Sequence, residues 1–190
     1  MSLDFVFERT GISRRGAMLT LASAAAALTS LMLPSIPARA QAAAWREYRD
    51  EEMGFRVEMP GEFKVRHEAG EAKDPWVKNI WAKINIDGMT VEAFGQEYRG
   101  TLSAEELYKL QQGGILANSM RPTREEQRAV SGVPARQFIR EADDTLNYIS
   151  RMVVVGNRVI GAGVLGERSI HGDPTVLRFV DSLRLLHGGR

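Results

Sequence analysis

The segment 145–167 carries apolar side chains at both odd and even positions on either side of a Gly156-Asn157 pair. Glycine at the first position of a two-residue loop is typical of a type II′ hairpin turn, which places Met152 opposite Gly161. Because successive side chains along a strand point to opposite faces, a hairpin that is apolar on both faces needs cover on both sides. We therefore predict this hairpin at the centre of a β-sheet.

Shorter alternating patterns predict further strands around this hairpin. Apolar and polar residues alternate in the segments 54–59, 63–67, 76–86, 89–99, 123–130 and 133–141. Asp87-Gly88 and Ser131-Gly132 join two neighbouring pairs of these strands by tight turns, which makes the joined strands antiparallel. The segment 45–50 is interpreted as a polar and aromatic lead-in.

Two helix starts complete the pattern. Ser103 and Glu106 form a capping box, and Asp173 followed by Pro174 is typical of an N-cap with proline at the first helical position. About eight strands and two helices in this arrangement predict an α+β fold. The expected architecture is an antiparallel sheet of about 6–8 strands covered by helices on both faces, an α/β/α sandwich.

The N-terminal segment has the three parts of an export signal. A polar stretch ends at Arg14-Arg15, an uncharged run follows over 16–33, and Ala38-Arg39-Ala40 supplies an A-x-A cleavage site. This arrangement resembles a bacterial twin-arginine signal, of the class that exports folded proteins.

We predict that residues 1–40 are this signal and that 41–190 form a single periplasmic domain, released by cleavage near Ala40 and Gln41. Two alternatives stay open, in which the apolar run is retained as a membrane tether or is buried as a helix. The sequence also leaves open whether export follows the twin-arginine or the general secretory route.

Composition narrows the possible partners and cofactors. The whole chain carries a net charge of +1, and residues 41–190, with 21 basic and 22 acidic residues, carry −1. This balance does not favour nucleic acid, and it leaves membrane contact only to an uncleaved signal. The chain has no cysteine, which excludes disulfides, thiolate metal sites and lipoprotein acylation.

Several short segments resemble the PsbP/Mog-type family. The matching residues are Trp45 with Tyr48, Gly54-Phe55-x-Val57-x-Met59-Pro60-Gly61, Gly132-Val133-Pro134-Ala135, and Phe179-x-x-Ser182-Leu183-Arg184-Leu185. The resemblance implies an α/β/α sandwich around an antiparallel sheet in an exported bacterial protein. Members of this family are generally non-enzymatic and include extrinsic photosystem subunits and a Ran-binding protein. No binding residue of the family matches a position of this chain.

A glycine motif is the first candidate for chemistry. Gly161-x-Gly163-x-x-Gly166 follows a strand, and Asp181 lies twenty residues after its first glycine, as in dinucleotide sites. No helix starts at the motif and no later strand completes a βαβ unit. The pattern therefore favours close packing of the C-terminal helix on the sheet, and no cofactor is expected.

Histidines and paired acids are the next candidates. His67, His171 and His187 lack the spacing of metal ligands, so we expect no metal site. Asp143-Asp144 is interpreted as a solvated loop rather than a cation site.

Arg151 is the candidate for a buried charge or a binding residue. It lies in the middle of a predicted strand between Ile149 and Val153, where a charge is costly unless it is paired. We predict a carboxylate partner or a polar pocket around it, and a structural ion pair is favoured over a binding role.

Two functional hypotheses follow. The first is an exported, non-enzymatic binding or assembly module with a protein partner in the periplasm. The second is an enzyme or small-ligand binder with a cleft between sheet and helix. The absence of catalytic motifs favours the first. A deep pocket with converging polar groups and shifted pKa values would favour the second, whereas a filled core with shallow grooves would favour the first.

Overall fold

The structure, a computed structural model, describes residues 44–115, 121–141, 146–167 and 169–186. These residues form ten strands and two helices. In chain order they are β1 (Arg46–Asp50), β2 (Phe55–Met59), β3 (Lys64–Ala69), β4 (Trp76–Ile86), β5 (Met89–Tyr98), α1 (Ala104–Ile115), β6 (Arg124–Val130), β7 (Val133–Arg140), β8 (Asn147–Val155), β9 (Arg158–Gly166), α2 (Pro174–Asp181) and β10 (Arg184–Leu185).

Seven of the described strands form one antiparallel sheet, in the order β3-β4-β5-β9-β8-β7-β6. β9 is the middle strand of this large sheet and β8 lies beside it, so the predicted central hairpin is central in the structure. Met152 lies opposite Gly161, as the turn predicts. Gly156 has a φ of 62° and Asn157 does not have a positive φ, which fits a type II′ turn.

The other three described strands form a second antiparallel sheet, in the order β1-β2-β10. The segment interpreted as a lead-in is strand β1, in which Tyr48 and Asp50 are buried and alternate with exposed neighbours. The two residues of β10 follow α2 and return to pair with Arg56 and Phe55 of β2. Both ends of the described chain therefore meet in this small sheet.

The predicted α/β/α sandwich, with helices covering both faces of one sheet, is wrong. The described fold is mostly β, with two antiparallel sheets and only two short helices. The difference arises because residues 46–50 form strand β1, not a lead-in, and β2 pairs with β1 and β10, not with the large sheet. Together β1, β2 and β10 form a second layer. This small sheet, with α2, covers the face of the large sheet that a helix alone was expected to cover.

Two hydrophobic cores lie against the large sheet. The larger core joins it to the small sheet and α2 through buried residues that include Phe55, Met59, Val153, Ile160 and Phe179. The smaller core joins it to α1 through residues that include Phe94, Leu107, Tyr108, Phe138 and Met152. Both faces of the central hairpin are thus covered by apolar side chains, as its sequence predicts.

The caps predicted from the sequence are present at both helices. The Ser103 amide donates to a Glu106 carboxylate oxygen over 2.8 Å, and the Glu106 amide donates to Ser103 Oγ over 3.3 Å. Asp173 Oδ1 accepts from the Thr175 amide over 2.8 Å, with proline at the first turn of α2. These contacts satisfy backbone donors that a helix start leaves free.

The glycines of β9 make room for side chains of the large sheet. A Cβ atom at Gly161 would lie 2.3 Å from Cζ of Phe94, which is its directly paired neighbour on β5. Phe94 belongs to the core under α1, not to the one under α2. The expectation that Gly161 serves the packing of the C-terminal helix is therefore wrong.

Candidate functional site

Helix α2 lies between two shallow surface grooves. Its Leu177 is 41% exposed, although its neighbours Val176 and Phe179 are buried. The first groove, named the Arg151 groove, has a volume of about 310 Å³. It is lined by Arg128, Gln137, Ile149, Arg151, Leu177, Val180 and Asp181. The second, named the Arg178 groove, has a volume of about 320 Å³. It is lined by Glu47, Arg56, Val57, Glu58, Arg178, Asp181, Ser182 and Arg184.

Arg151 is nearly buried on the floor of its groove, with 13% of its side chain exposed. Its Nη1 lies 2.7 Å from Oδ1 of Asp181, which is the carboxylate partner that a buried guanidinium requires. Its Nε and Nη2 donate to Oε1 of Gln137 over 3.2 and 2.7 Å. Gln137 is itself buried, so it fixes the plane of the guanidinium from the sheet side.

The polar contacts of the Arg151 groove continue to the edge strand β6. Gln137 Nε2 donates to a carboxylate oxygen of Glu126 over 3.3 Å. Glu126 also pairs with Arg124 at 3.1 Å and with Arg128. A chain of alternating charge therefore crosses the surface from α2 to β6, and each member has a partner of opposite charge or a hydrogen bond.

The Arg178 groove is lined by paired charges on the outer face of the small sheet. Arg178 pairs with Glu58 at 2.9 Å, and its guanidinium carbon lies 4.1 Å from the centroid of the Trp45 ring. Arg56 pairs with Glu47 at 2.8 Å. Exposed pairs of this kind contribute little to stability, and their geometry is adaptable.

The large rises in pKa belong to tyrosines in the hydrophobic cores. Burial raises the pKa of Tyr98 and of Tyr148 to about 12. Burial, followed by the nearby carboxylate of Asp50, raises the pKa of Tyr48 above the ordinary range. These shifts follow from packing, and the tyrosines do not converge on a cleft.

The glycine motif does not form a dinucleotide site. Gly161, Gly163 and Gly166 all lie within strand β9, and α2 begins only at Pro174. A dinucleotide site requires a helix that starts directly after the first strand. Asp181, which that motif would assign to a ribose, instead pairs with Arg151.

The described histidines lie far apart in the fold. His67 is exposed on β3. His171 Nε2 lies 3.0 Å from the carbonyl oxygen of Arg140, and a carboxylate oxygen of Glu141 lies 3.7 Å from it. The residues described by the structure contain no cluster of three side chains that could hold a metal ion.

Other predicted residues lie outside the described part of the chain. These are Arg14, Arg15, Ala38 and Ala40 of the export signal, together with Asp143, Asp144 and His187. Within the described ranges, no helix is both long and apolar enough to cross a membrane.

Comparison with known proteins gives the class of fold. The two-sheet architecture is PsbP-like, as solved structures show. A structural neighbour is the solution structure of cyanobacterial PsbP (CyanoP) from Synechocystis sp. PCC 6803, with a TM-score of 0.50 and 10% sequence identity. The match covers 80% of this chain and 98% of CyanoP. No family model and no curated protein matches the chain. At this identity the likeness establishes the fold alone.

Sequence reasoning found Arg151 but not the groove around it. Gln137 lies 14 positions before Arg151, on the neighbouring strand β7. Asp181 lies 30 positions after it (181 − 151), at the end of α2. Their meeting depends on how α2 lies over the sheet. The pairing of β7 with β8 could have indicated Gln137. Residues that lie opposite each other on neighbouring strands share a face of the sheet, and Gln137 lies directly opposite Arg151.

Proposed function

We propose that this chain is an exported, non-enzymatic accessory or assembly module that binds a protein partner through the surface of α2. The observation that carries the proposal is the exposed Leu177, which lines the Arg151 groove on a helix that also lines the Arg178 groove, and the two grooves share Asp181. An apolar anchor surrounded by polar groups is the usual arrangement of a protein contact. Both grooves are near the lower limit of small-molecule pockets in volume.

The charge pattern of this surface also suits a protein contact. Arg178 and Glu58, like Arg56 and Glu47, are paired near the surface, where they can exchange partners with charges on another protein. An active site would instead bring titratable groups with shifted pKa values into one cleft. The PsbP-like fold agrees with the resemblance of the sequence to the PsbP/Mog-type family, whose members are generally non-enzymatic, and membership of that family is part of the proposal.

The place of action is the periplasm. The twin-arginine-like pair Arg14-Arg15 and the A-x-A site ending at Ala40 support export and cleavage near Gln41. Mass spectrometry of the periplasmic fraction is expected to find a chain that begins at or near Gln41. A chain that keeps Met1 and stays in the cytoplasm would contradict export.

The contact surface is tested with two matched substitutions of exposed leucines. Leu177 on α2 and Leu110 on α1 are each 41% exposed, but only Leu177 lies beside the grooves. Full-length Leu177→Asp is expected to lose about tenfold or more of the partner recovered by crosslinking and co-purification, because it puts a charge at the apolar anchor. Leu110→Asp is expected to recover the partner as the unchanged chain does. Equal recovery with both variants would contradict the proposal.

A further inference from the structure

The geometry points to the Arg151 groove as a site for the C-terminal carboxylate of a partner peptide that ends in an aliphatic residue. Asp181 occupies this site in the free protein and acts as an internal competitor. The inference rests on the proposed contact surface and adds to it the chemistry of the bound group.

The guanidinium of Arg151 is prepared for a carboxylate. Gln137 holds its Nε and Nη2 from the sheet side, while Nη1 contacts Asp181 Oδ1 at 2.7 Å and the Val180 carbonyl oxygen at 3.5 Å, two residues that line the groove. A guanidinium that is fixed in its plane presents parallel N–H groups that match the two oxygens of a carboxylate. Because Gln137 is neutral, it fixes the orientation of Arg151 without neutralising its charge. The groove therefore holds a cation whose counter-ion must come from elsewhere.

Asp181 supplies this counter-ion from an unfavourable position. It is the last residue of α2, where the free carbonyl groups carry partial negative charge and repel a carboxylate. Its side chain is 63% exposed, so the carboxylate side of the pair with Arg151 is solvated and water weakens the attraction between the two charges. Water already reaches the Asp181 carboxylate, which can turn away when another carboxylate arrives.

The walls of the groove suit an aliphatic residue next to that carboxylate. Ile149 and Val180 line it together with the exposed Leu177. Arg128, which pairs with Glu126 in the free protein, also lines the groove and is a second guanidinium there. The last residue of a peptide could therefore pack its aliphatic side chain against these apolar residues. Its terminal carboxylate would at the same time pair with Arg151.

The edge of the sheet favours a peptide over a small acid. Arg128 belongs to β6, which ends the large sheet and pairs on one side only among the strands that the structure describes. The other side of β6 offers backbone groups to an extended chain, as in recognition by strand addition. The groove has only three aliphatic lining residues and a polar remainder, which is little cover for the tail of a free fatty acid.

Binding of defined probes to the full-length chain tests this assignment. The probes are acetyl-Ala-Ala-Val-Leu as the free acid, the same peptide as the C-terminal amide, and hexanoate, each measured by calorimetry. The free acid is expected to bind about tenfold or more tightly than the amide, because charge-assisted hydrogen bonds to Arg151 are lost in the amide. Hexanoate is expected to bind more weakly than the free acid, since it cannot use the strand edge.

Three substitutions separate the roles of the charges. Arg151→Lys keeps the positive charge but loses the planar guanidinium with its paired donors, and should lower the affinity for the free-acid peptide about tenfold. Asp181→Asn removes the internal competitor and should raise the affinity for the free-acid peptide about threefold to tenfold. Glu71→Gln, an exposed acid between β3 and β4 that lines neither groove, should leave the affinity unchanged. Thermal unfolding of each variant checks that it is folded.

Each opposite result overturns the assignment. Three results would show that the groove does not take a terminal carboxylate. The free acid and the amide could bind with equal affinity, Asp181→Asn could bind the free acid more weakly than the unchanged chain does, or neither protein could bind it. Hexanoate binding as tightly as the peptide acid would assign the groove to small acids. If Leu177→Asp still abolishes recovery of the partner in those cases, the carboxylate site fails while the α2 contact surface stands.

Discussion

Two buried tyrosines show how individual residues are held in this fold. Tyr48 donates its hydroxyl to Oδ2 of Asp50 over 3.0 Å, and the same carboxylate accepts from the Met53 amide over 2.8 Å. Tyr148 is equally buried, but its hydroxyl has no hydrogen-bond partner among the residues that the structure describes. The two hydroxyls therefore differ in what they contribute to stability.

The matched substitutions Tyr48→Phe and Tyr148→Phe test this difference. Tyr48→Phe removes a hydrogen bond to a carboxylate and should lower the free energy of unfolding by about 1.5–3 kcal/mol. Tyr148→Phe removes an unpaired buried hydroxyl and should change it by less than about 0.5 kcal/mol. Denaturant unfolding followed by circular dichroism measures both. A loss at Tyr148 as large as that at Tyr48 would show that its hydroxyl is bonded.

At this scale the sequence predicts which residue is unusual but not its partners. A charge at position 151 among apolar neighbours indicates a need for compensation. Asp181 could not be chosen from the other acids of the chain, because its contact with Arg151 requires the end of α2 to lie over β8. The exposure of Leu177 does not follow from the sequence either, because the adjacent residue Val176 is equally apolar and yet buried.

Among the elements, β5 and β9 depend on the fit of one ring over one glycine. Phe94 crosses Gly161 on the neighbouring strand, and the ring occupies the space that a Cβ atom would need. At Gly163 the nearest atom to such a Cβ is Oγ of Ser150 at 3.2 Å, the end of a small side chain that can rotate. The two glycines are therefore unequal, although they share a strand and a face.

We expect Gly161→Ala to lower the free energy of unfolding by about 1–3 kcal/mol, because overpacking displaces the Phe94 ring. Gly163→Ala should cost clearly less, since Ser150 can move. Combining Gly161→Ala with Phe94→Leu should recover part of the loss, which denaturant unfolding of the single and double variants measures. If the double variant lost as much free energy of unfolding as the two single variants added together, the proposed clash between position 161 and the Phe94 ring would be contradicted.

The elements divide into those that local sequence determines and those that distant pairing determines. The capping residues Ser103 and Asp173 and the turn at Gly156 are local signals, and each predicted its element. Strand β10 has only two residues, and Tyr48 is the one apolar residue among the five of β1, so neither strand shows an alternation of apolar and polar residues. Their pairing with β2 forms only when the whole chain folds, which is why the second sheet was not predicted.

At the scale of the whole molecule, the tyrosines make stability depend on alkaline pH. The pKa of Tyr98 and of Tyr148 is about 12 in the folded chain, and an unfolded tyrosine titrates near pH 10, at about its ordinary pKa. Between these values the unfolded chain loses protons that the folded chain keeps. The free energy of unfolding must therefore fall as the pH rises through this window.

Thermal unfolding between pH 9 and pH 12, followed together with tyrosinate absorbance, tests this dependence. The melting temperature should be flat below about pH 10 and fall above it, and tyrosinate should form as the chain unfolds. Tyr148→Phe should reduce the slope of the fall. Tyrosinate formation near pH 10 in a chain that stays folded would contradict the burial of these side chains.

The central claim for the whole molecule is that the surface of α2 contacts another protein. A photoreactive residue in place of Leu177, Leu110 or Val65, which are similarly exposed, compares this surface with two others. Irradiation of cells that produce the full-length chain is predicted to yield a discrete protein adduct from position 177 and none from positions 110 and 65. Adducts of equal yield from all three positions, or adducts from position 110 or 65 alone, would contradict the claim.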